Sequence, residues 1–152
     1  MAVFEHRFVV SGTVEQVNAF HRAPEAFRRL VPPGMILQIH HQEPLAAGSV
    51  SEFTMWMGPL PVYWKAVHSD VTETGFTDTQ AAGPMQSWLH RHSFEPVSDQ
   101  ETAVVDRIEY SHFSGWRGML SRVLFAPVGL RALFAWRAGA TRRGVRAMSD
   151  RR

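Results

Sequence analysis

The sequence predicts an α+β domain in which a curved antiparallel sheet of about seven strands covers a long C-terminal helix. Two observations carry this prediction. Apolar residues recur with a period of two from Met35 to about residue 113, which is typical of half-buried strands. After Pro127 the period becomes 3.6, which is typical of an amphipathic helix. A chain of 152 residues is expected to form one domain over its whole length, residues 1–152.

The N-terminal part is predicted to form one strand and two short helices. Aromatic and β-branched residues give Glu5–Ser11 its strand propensity. Thr13 and Gln16 match a capping box, so we expect a helix to begin there. A second helix is expected to open at Pro24 and to end at Pro32-Pro33-Gly34. The apolar faces of these two helices carry Val14, Val17, Phe20, His21, Ala26, Phe27 and Leu30.

Six further strands follow, separated by short turns. Gly83-Pro84 and Ser98-Asp-Gln-Glu101 are two of these turns, and both carry residues that favour chain reversal. Connections this short favour antiparallel pairing, because parallel strands need crossovers of about a dozen or more residues. The predicted strands are residues 35–41, 49–57, 61–71, 75–82, 85–97 and 102–113.

The chain then returns to helix. Trp116–Phe125 is a first predicted helix, and Pro127 suits the first turn of a longer one, where its missing N–H has no partner to lose. We expect residues 147–152 to form a basic tail. A bent sheet and a helix often leave an apolar hollow between them, which is the usual form of a small-molecule site. The helix face directed at this hollow carries Leu130, Leu133, Phe134, Arg137, Thr141 and Val145.

Composition excludes several classes of protein and site. The chain has no cysteine, so it can form neither disulfides nor thiolate metal sites. Its opening MAVFEHRFVV lacks the apolar core of a secretion signal, and we expect a cytoplasmic protein. Gly-rich phosphate loops and dinucleotide fingerprints are absent, so we expect no cofactor.

Charge is distributed unevenly along the chain. Residues 117–152 carry nine arginines against the single acid Asp150, whereas residues 1–116 carry seven basic and thirteen acidic residues. The acidic body would repel an extended phosphate backbone, so we expect no nucleic-acid binding. Transient membrane contact is left open, because Met57-Gly-Pro-Leu60-Pro61 places apolar residues at a hairpin tip.

The segment Trp88-Leu-His-Arg-His-Ser-Phe94 places two imidazoles on the same strand face as two aromatic rings. A simple register across the turn at 98–101 sets His90 opposite Asp106. A shift of two residues would set His92 opposite Asp106 instead. Directly opposed Cβ atoms lie about 5 Å apart, so either register predicts a contact between a histidine and this carboxylate.

A longer pattern carries a resemblance to a known superfamily. Phe76-x-Asp78-x-Gln80-x-x-Gly83-Pro84-Met85-x-x-Trp88-x-His90-x-His92-x-Phe94, Thr102-x-Val104-x-Asp106-x-Ile108-x-Tyr110 and Leu133-Phe134-x-x-Arg137 resemble the bacterial ligand-binding branch of the START-like, or SRPBCC, superfamily. That branch includes polyketide cyclase/dehydrase and coenzyme-Q-binding relatives. The resemblance implies the helix-grip fold and a lipid, quinone or polyketide-like ligand. Met85 departs from the pattern, in which an aromatic residue usually follows Gly-Pro.

Four roles are open for the polar residues of this pattern. His90, His92 and Asp106 could form a two-histidine-one-carboxylate metal site. His90 could act as a general base polarised by Asp106, in a cyclase or dehydratase. We favour a third role, a polar network that lines a ligand cavity and that Arg137 completes by pairing with Asp106 or with the ligand. In the fourth, the histidines are core residues that only tie the strands together. For the protein as a whole, a partner-binding module is also open, in which side chains fill the cavity and the basic C-terminal helix is the interface. The predicted ligand-binding residues are Trp88, His90, His92, Phe94, Asp106, Ile108, Tyr110, Phe134 and Arg137.

Overall fold

A computed structural model describes residues 1–151 and confirms the predicted fold class. Seven antiparallel strands form one sheet in the order β1-β7-β6-β5-β4-β3-β2. The strands are β1 (Ala2–Ser11), β2 (Met35–Gln42), β3 (Val50–Met57), β4 (Leu60–Thr72), β5 (Gly75–Ala82), β6 (Ser87–Ser98) and β7 (Glu101–Ser111). The helices are α1 (Val14–Arg22), α2 (Ala26–Arg29), α3 (Trp116–Leu124) and α4 (Pro127–Ser149).

The capping box predicted at the start of α1 is confirmed. The Thr13 hydroxyl accepts a hydrogen bond from the Gln16 backbone N–H at 3.3 Å, and the Gln16 side chain accepts one from the Thr13 N–H at 2.9 Å. The same Gln16 amide donates to the Ser149 hydroxyl at 3.1 Å. This bond ties the start of α1 to the last turn of α4, which extends into the segment predicted to be a basic tail.

The prediction that Pro24 opens the second helix is wrong by two residues. α2 begins at Ala26, after Glu25, and spans a single turn. Ala26 and Leu30 are buried on its inner side, as the apolar spacing predicted. The helix starts late because the chain turns at Ala23, whose N–H bonds to the carbonyl of Phe20 and whose backbone is extended.

The register of the β6–β7 hairpin differs from the simple one. His92 lies opposite Asp106, and His90 lies opposite Ile108, so the alternative shifted by two residues is confirmed. The hairpin is tighter than predicted, because Ser98 pairs directly with Glu101 and a bulge lies between Pro96 and Ser98. A shift of two residues keeps every side chain on its predicted face.

The core between the sheet and α4 consists of two clusters of apolar side chains. One cluster lies where α1 and α4 meet the sheet and includes Phe8, Phe20, Phe94 and Val145. The other lies toward β3 and β4 and includes Phe4, Phe53, Trp64, Trp88, Ile108 and Phe134. Phe20, Phe94, Phe134 and Ile108 are fully buried. Large aromatic rings therefore occupy much of the space in which a hollow was expected.

Close contact between α4 and α1 depends on Gly144. A Cβ atom at this position would overlap the ring of Phe20, whereas one at Gly129, near the start of α4, would meet nothing closer than the Leu124 carbonyl at 3.5 Å. We expect Gly144→Ala to lower the free energy of unfolding by about 1–3 kcal/mol through overpacking. Gly129→Ala should instead raise it by about 0.5–1 kcal/mol through helix propensity. Urea denaturation measures both changes, and an equal effect of the two variants would contradict this account of the helix contact.

No single helix in the described part of the chain is long and apolar enough to cross a membrane. α3 and α4 reach the necessary length and composition only when taken together across a 40° bend.

Candidate functional site

Three neighbouring strands bring four polar side chains together on the inner face of the sheet. Asp78 comes from β5, His90 and His92 come from β6, and Asp106 comes from β7. Asp78 lies opposite His90 across one strand pair, and His92 lies opposite Asp106 across the other. His90 and His92 share a face because they are two residues apart on one strand. We call these four residues the His–Asp cluster.

The His–Asp cluster is an alternating ring of two carboxylates and two imidazoles. His90 Nε2 donates to Asp106 Oδ1 at 2.9 Å, and His92 Nε2 donates to Asp78 Oδ2 at 2.9 Å. His92 Nδ1 also lies 2.9 Å from Asp106 Oδ1, but without hydrogen-bond geometry. His90 Nδ1 completes the ring at 3.8 Å from Asp78 Oδ2. Every imidazole nitrogen of the cluster therefore faces a carboxylate oxygen.

Burial and the two carboxylates set opposite pKa shifts for the two histidines. Burial and the charge of His92 lower the pKa of His90, and its hydrogen bond with Asp106 only partly compensates. For His92, burial again disfavours the charged form, but the close Asp106 carboxylate and the hydrogen bond with Asp78 outweigh burial and raise the pKa. The same contacts outweigh burial for the carboxylates. They lower the pKa of Asp78 to about 2 and hold that of Asp106 well below its usual value.

Aromatic rings cover the His–Asp cluster on the side of the helices. The imidazoles of His90 and His92 lie 3.8 Å apart between centroids. Phe76 stacks on His92 at 4.2 Å, and the edge of Phe134 meets His90 at 5.4 Å. The side chains of His90, His92 and Asp106 are 4–7% exposed, whereas that of Asp78 is 19% exposed. Solvent therefore reaches the cluster chiefly at Asp78.

Most of the predicted site residues lie together, but Arg137 does not pair as predicted. Trp88, Phe94, Ile108, Tyr110 and Phe134 are all buried on the same side of the sheet. Among residues 1–151, Arg137 forms no hydrogen bond or ion pair with Asp106. Its guanidinium lies 5.2 Å from the centroid of the Phe134 ring. Phe134 lies between α4 and the imidazoles. The guanidinium of Arg137 therefore stacks on the Phe134 ring and does not reach the Asp106 carboxylate.

Asp78 was not recognised as a member of the polar site from the sequence. It occurs in the family-like pattern, but its position opposite His90 depends on the register of β5 against β6. The available signal was the alternation in Phe76-x-Asp78-x-Gln80. This alternation places Asp78 on the same strand face as Phe76, and Phe76 stacks on His92.

An apolar concavity of about 300 Å³ lies at one end of the sheet. It is formed by the start of β4, the β5–β6 turn and α3, and none of its lining residues belongs to the His–Asp cluster. Its walls carry Leu60, Val62, Tyr63, Leu120 and Leu124, with Arg117 as the cationic group. Phe125, which follows Leu124, contacts the rings of Trp88 at 5.7 Å and Trp64 at 6.0 Å. Phe125 thus packs on the buried aromatic core directly beside a residue that lines the concavity.

Comparison with solved structures identifies several proteins of the same shape. A protein of Thermus thermophilus has a TM-score of 0.73 at 14% identity, covering 97% of this chain and 99% of the other. The Zhui aromatase/cyclase from Streptomyces sp. R1128 has a TM-score of 0.69 at 14% identity, with coverages of 99% and 94%.

A norcoclaurine synthase from Thalictrum flavum, solved as a point mutant with a transition-state analogue, has a TM-score of 0.68 at 14% identity, with coverages of 97% and 96%. No family model matches the chain, and no curated protein matches it. These structural likenesses show the fold, in which a curved open sheet wraps a long C-terminal helix.

Proposed function

We propose that this protein belongs to the START-like superfamily and binds a hydrophobic small molecule, such as a lipid, a quinone or a polyketide-like compound. The observation that carries the proposal is the apolar concavity between β4, the β5–β6 turn and α3. Its volume of about 300 Å³ is at the lower end of the range for small-molecule sites. The fold supports the proposal, because the similar structures include an aromatase/cyclase and a synthase bound to an analogue.

The lining residues indicate the chemistry of the ligand. Apolar side chains dominate, so most of the ligand surface should be apolar. The Ser121 hydroxyl is already engaged, since it donates to the Gly118 carbonyl at 3.0 Å and lies 2.9 Å from His112 Nδ1. Arg117 is the charged group at the wall, with its guanidinium 5.4 Å from the Phe113 ring. We therefore propose a ligand with an apolar body and one anionic or strongly polar group.

We also propose that the inner end of the ligand reaches the buried site residues predicted from the sequence. A rotation of Phe125 would open the concavity toward Trp88 and Tyr110, whose rings lie 5.8 Å apart. His90 and His92 follow Trp88 on the same strand face and would form the polar end of the enlarged site. In this arrangement Phe94, Asp106, Ile108, Phe134 and Arg137 form its floor and back wall.

The geometry supports binding more than general base catalysis by His90. A general base must come within hydrogen-bond reach of the proton it removes. The His90 side chain is only 4% exposed, and its two nitrogens lie 2.9 Å and 3.8 Å from the Asp106 and Asp78 carboxylates. A substrate would have to displace one of these carboxylates before it could donate a proton.

We propose that the rim of the concavity contacts an anionic membrane surface while the ligand is exchanged. Trp116, Met119 and Val123 on α3 are 81%, 63% and 75% exposed, and Val128 continues this apolar face into α4. The hairpin tip between β3 and β4 lies on the other side of the same concavity. Residues 112–149 carry seven arginines and no acidic residue. An apolar face bordered by arginines is complementary to the interface of an anionic bilayer.

Two matched variants on α3 test both parts of the proposal. Leu120 lines the concavity, whereas Val123 lies on the exposed face and does not line it. We expect Leu120→Glu to weaken binding of the neutral fluorescent probe N-phenyl-1-naphthylamine by about tenfold, because the carboxylate removes apolar contact area from the wall of the concavity and must lose water when the probe binds. Val123→Glu should leave probe affinity within about twofold. Equal affinities for the two variants would contradict the proposed location of the site.

The same variants are then compared by co-sedimentation with vesicles. Phosphatidylcholine vesicles that contain phosphatidylserine should bind the wild-type protein, and both variants should bind them less. Pure phosphatidylcholine vesicles should bind the wild-type protein weakly. Equal sedimentation with both kinds of vesicle, or a stable dimer that buries α3, would contradict membrane contact.

A further inference from the structure

We propose that Asp78, His90 and His92 form a binding site for a divalent transition metal ion such as Zn²⁺. Asp106 is not a ligand in this site but a positioning residue that orients both imidazoles. The metal site shares His90 and His92 with the inner end of the enlarged ligand site proposed above, but none of its residues lines the apolar concavity itself, so metal binding and probe binding are tested separately.

Three donor atoms converge on one point of the His–Asp cluster. Asp78 Oδ2 lies 2.9 Å from His92 Nε2 and 3.8 Å from His90 Nδ1, and the donor atoms of these residues all lie within 4.8 Å of one another. Nitrogen and oxygen ligands of Zn²⁺ lie about 2.0–2.2 Å from the metal, which places neighbouring ligands of a tetrahedral site about 3.4 Å apart. The two Asp78 distances lie on either side of this value, and the 4.8 Å limit on the remaining donor pair requires the two imidazoles to move closer together by at most about 1.4 Å.

Asp106 supplies the second requirement of a histidine metal site. A metal-bound histidine usually donates its other N–H to a carboxylate, which fixes the tautomer and the ring orientation. Asp106 Oδ1 lies 2.9 Å from His90 Nε2 and 2.9 Å from His92 Nδ1, which are the two nitrogens that face away from the proposed ion. Asp106 therefore already orients His90, and a small rotation of the His92 ring would let the same carboxylate orient the second ligand.

His90 already has the tautomer that the proposed site requires, because its Nε2 donates to Asp106 and its Nδ1 is directed at Asp78. His92 would move its proton from Nε2 to Nδ1. In the structure His92 Nδ1 is a buried nitrogen without a well-directed hydrogen bond. Metal binding at His92 Nε2 would place the imidazole proton on Nδ1, which would then donate to Asp106. A buried polar atom that otherwise lacks a partner would thereby gain one.

Charge and access also fit a small divalent cation. Metal-bound imidazoles are neutral, so the two carboxylates would place two negative charges around the ion in the protein core. Burying uncompensated charge is costly, and a divalent cation would neutralise this charge completely. The Asp78 side chain is 19% exposed, compared with 4% for His90, so an ion can enter past Asp78. The three protein ligands leave one coordination position for water or a small donor.

Metal titration of the full-length protein tests the proposal. After treatment with EDTA, the protein is titrated with Co²⁺, which reports tetrahedral coordination by its visible absorption, and with Zn²⁺ by calorimetry. We expect one ion per chain. Asp78→Asn and His90→Gln should weaken Zn²⁺ binding by at least about a hundredfold, and Asp106→Asn by about ten- to a hundredfold. His41→Gln, which alters an exposed histidine–glutamate pair, should leave the affinity unchanged.

Asp78→Asn and Asp106→Asn keep the shape of the side chains they replace, and His90→Gln keeps a polar side chain of similar length. Circular dichroism checks that each variant is folded. For a variant that does not fold, thermal unfolding of the wild-type protein with and without Zn²⁺ provides the second measurement, because an ion bound only to the folded state raises Tm. The proposal is overturned if the wild-type protein shows neither a Co²⁺ absorption band nor a Tm increase. It is also overturned if a folded Asp78→Asn or His90→Gln variant binds Zn²⁺ as tightly as His41→Gln.

Discussion

Asp106→Ala is expected to lower the free energy of unfolding by about 3–5 kcal/mol, because it removes one charged partner from a buried network and leaves the other partners without it. Asp106 Oδ1 lies 2.9 Å from a nitrogen of each histidine of the His–Asp cluster. Without this carboxylate, His90 Nε2 keeps its buried N–H but loses its acceptor, and His92 is left with one of its two carboxylate neighbours. Aromatic packing around the rings leaves little room for water to replace the lost oxygen.

Urea denaturation at pH 7, in the presence of EDTA, measures this loss of stability. Glu5→Ala is the matched control, because it also removes a carboxylate that pairs with a neighbouring strand, in this case with Arg107 at 3.3 Å. The Glu5 side chain is 53% exposed, so its removal should cost less than about 1 kcal/mol. Similar losses for the two variants would show that the His–Asp cluster contributes no more than a surface ion pair.

The predicted elements agree with the structure where local physical chemistry determines them. Alternation on Trp88-x-His90-x-His92-x-Phe94 placed these four side chains on the inner face, and all four are buried there. Thr13 and Gln16 marked the start of α1 through a cap that spans only three residues. Such signals depend on near neighbours in the chain and can therefore be recognised without knowledge of the tertiary structure.

Errors occurred where the outcome depends on distant residues. The simple register of β6 against β7 failed because the turn is tighter than expected, with Ser98 paired to Glu101, and the bulge between Pro96 and Ser98 then sets His92 opposite Asp106. Asp78 was missed as a partner of the histidines because β5 contributes it from a separate hairpin. The length of Arg137 made a contact with Asp106 plausible, but Phe134 lies on the path between them. Such contacts depend on three-dimensional packing, and the periodicity of a sequence contains no information about it.

The prediction of a hollow between the sheet and α4 was limited in the same way, because the size of a hollow also depends on the packing of distant residues. The curvature of the sheet and the position of the helix were predictable from the order of the elements. How much of the intervening space remains open depends on how the rings of Phe4, Phe76, Phe94 and Phe134 pack. Phe76 and Phe134 lie against the imidazoles, and Phe94 and Phe4 pack on these two rings. The open concavity lies instead at the end of the sheet, beside α3.

Acidification from pH 6.5 to pH 4 is expected to destabilise the protein by about 2 kcal/mol through His21 alone. His21 packs on Phe94 at 4.8 Å between ring centroids, and its Nδ1 donates to the Val17 carbonyl at 2.8 Å. Burial, together with the charge of His92, lowers the pKa of His21 from 6.5 to about 4. Arg137 on α4 also disfavours the charged imidazole, whereas the Val17 carbonyl and Asp106 favour it.

The lowered pKa determines the direction of the effect. Between pH 4 and pH 6.5 the unfolded chain binds a proton at His21 that the folded protein does not, so stability rises with pH across this window. The stabilising contribution is complete above pH 6.5 and is lost as the pH falls toward 4. A shift of this size corresponds to about 3 kcal/mol, and partial solvent contact of the ring reduces the expected value to about 2 kcal/mol.

His21→Phe removes the titrating group and keeps an aromatic ring of similar size against Phe94. Urea denaturation at pH 7, 5.5 and 4 should therefore show a shallower loss of stability for this variant than for the wild-type protein. Some slope should remain, because the pKa of His90 is lowered as well and its protonation destabilises the folded state in the same direction. The same substitution at His41, whose pair with Glu43 is exposed to solvent, should change the slope much less than His21→Phe does. Parallel pH profiles for the wild-type protein and His21→Phe would show that His21 is not the group that limits stability in acid.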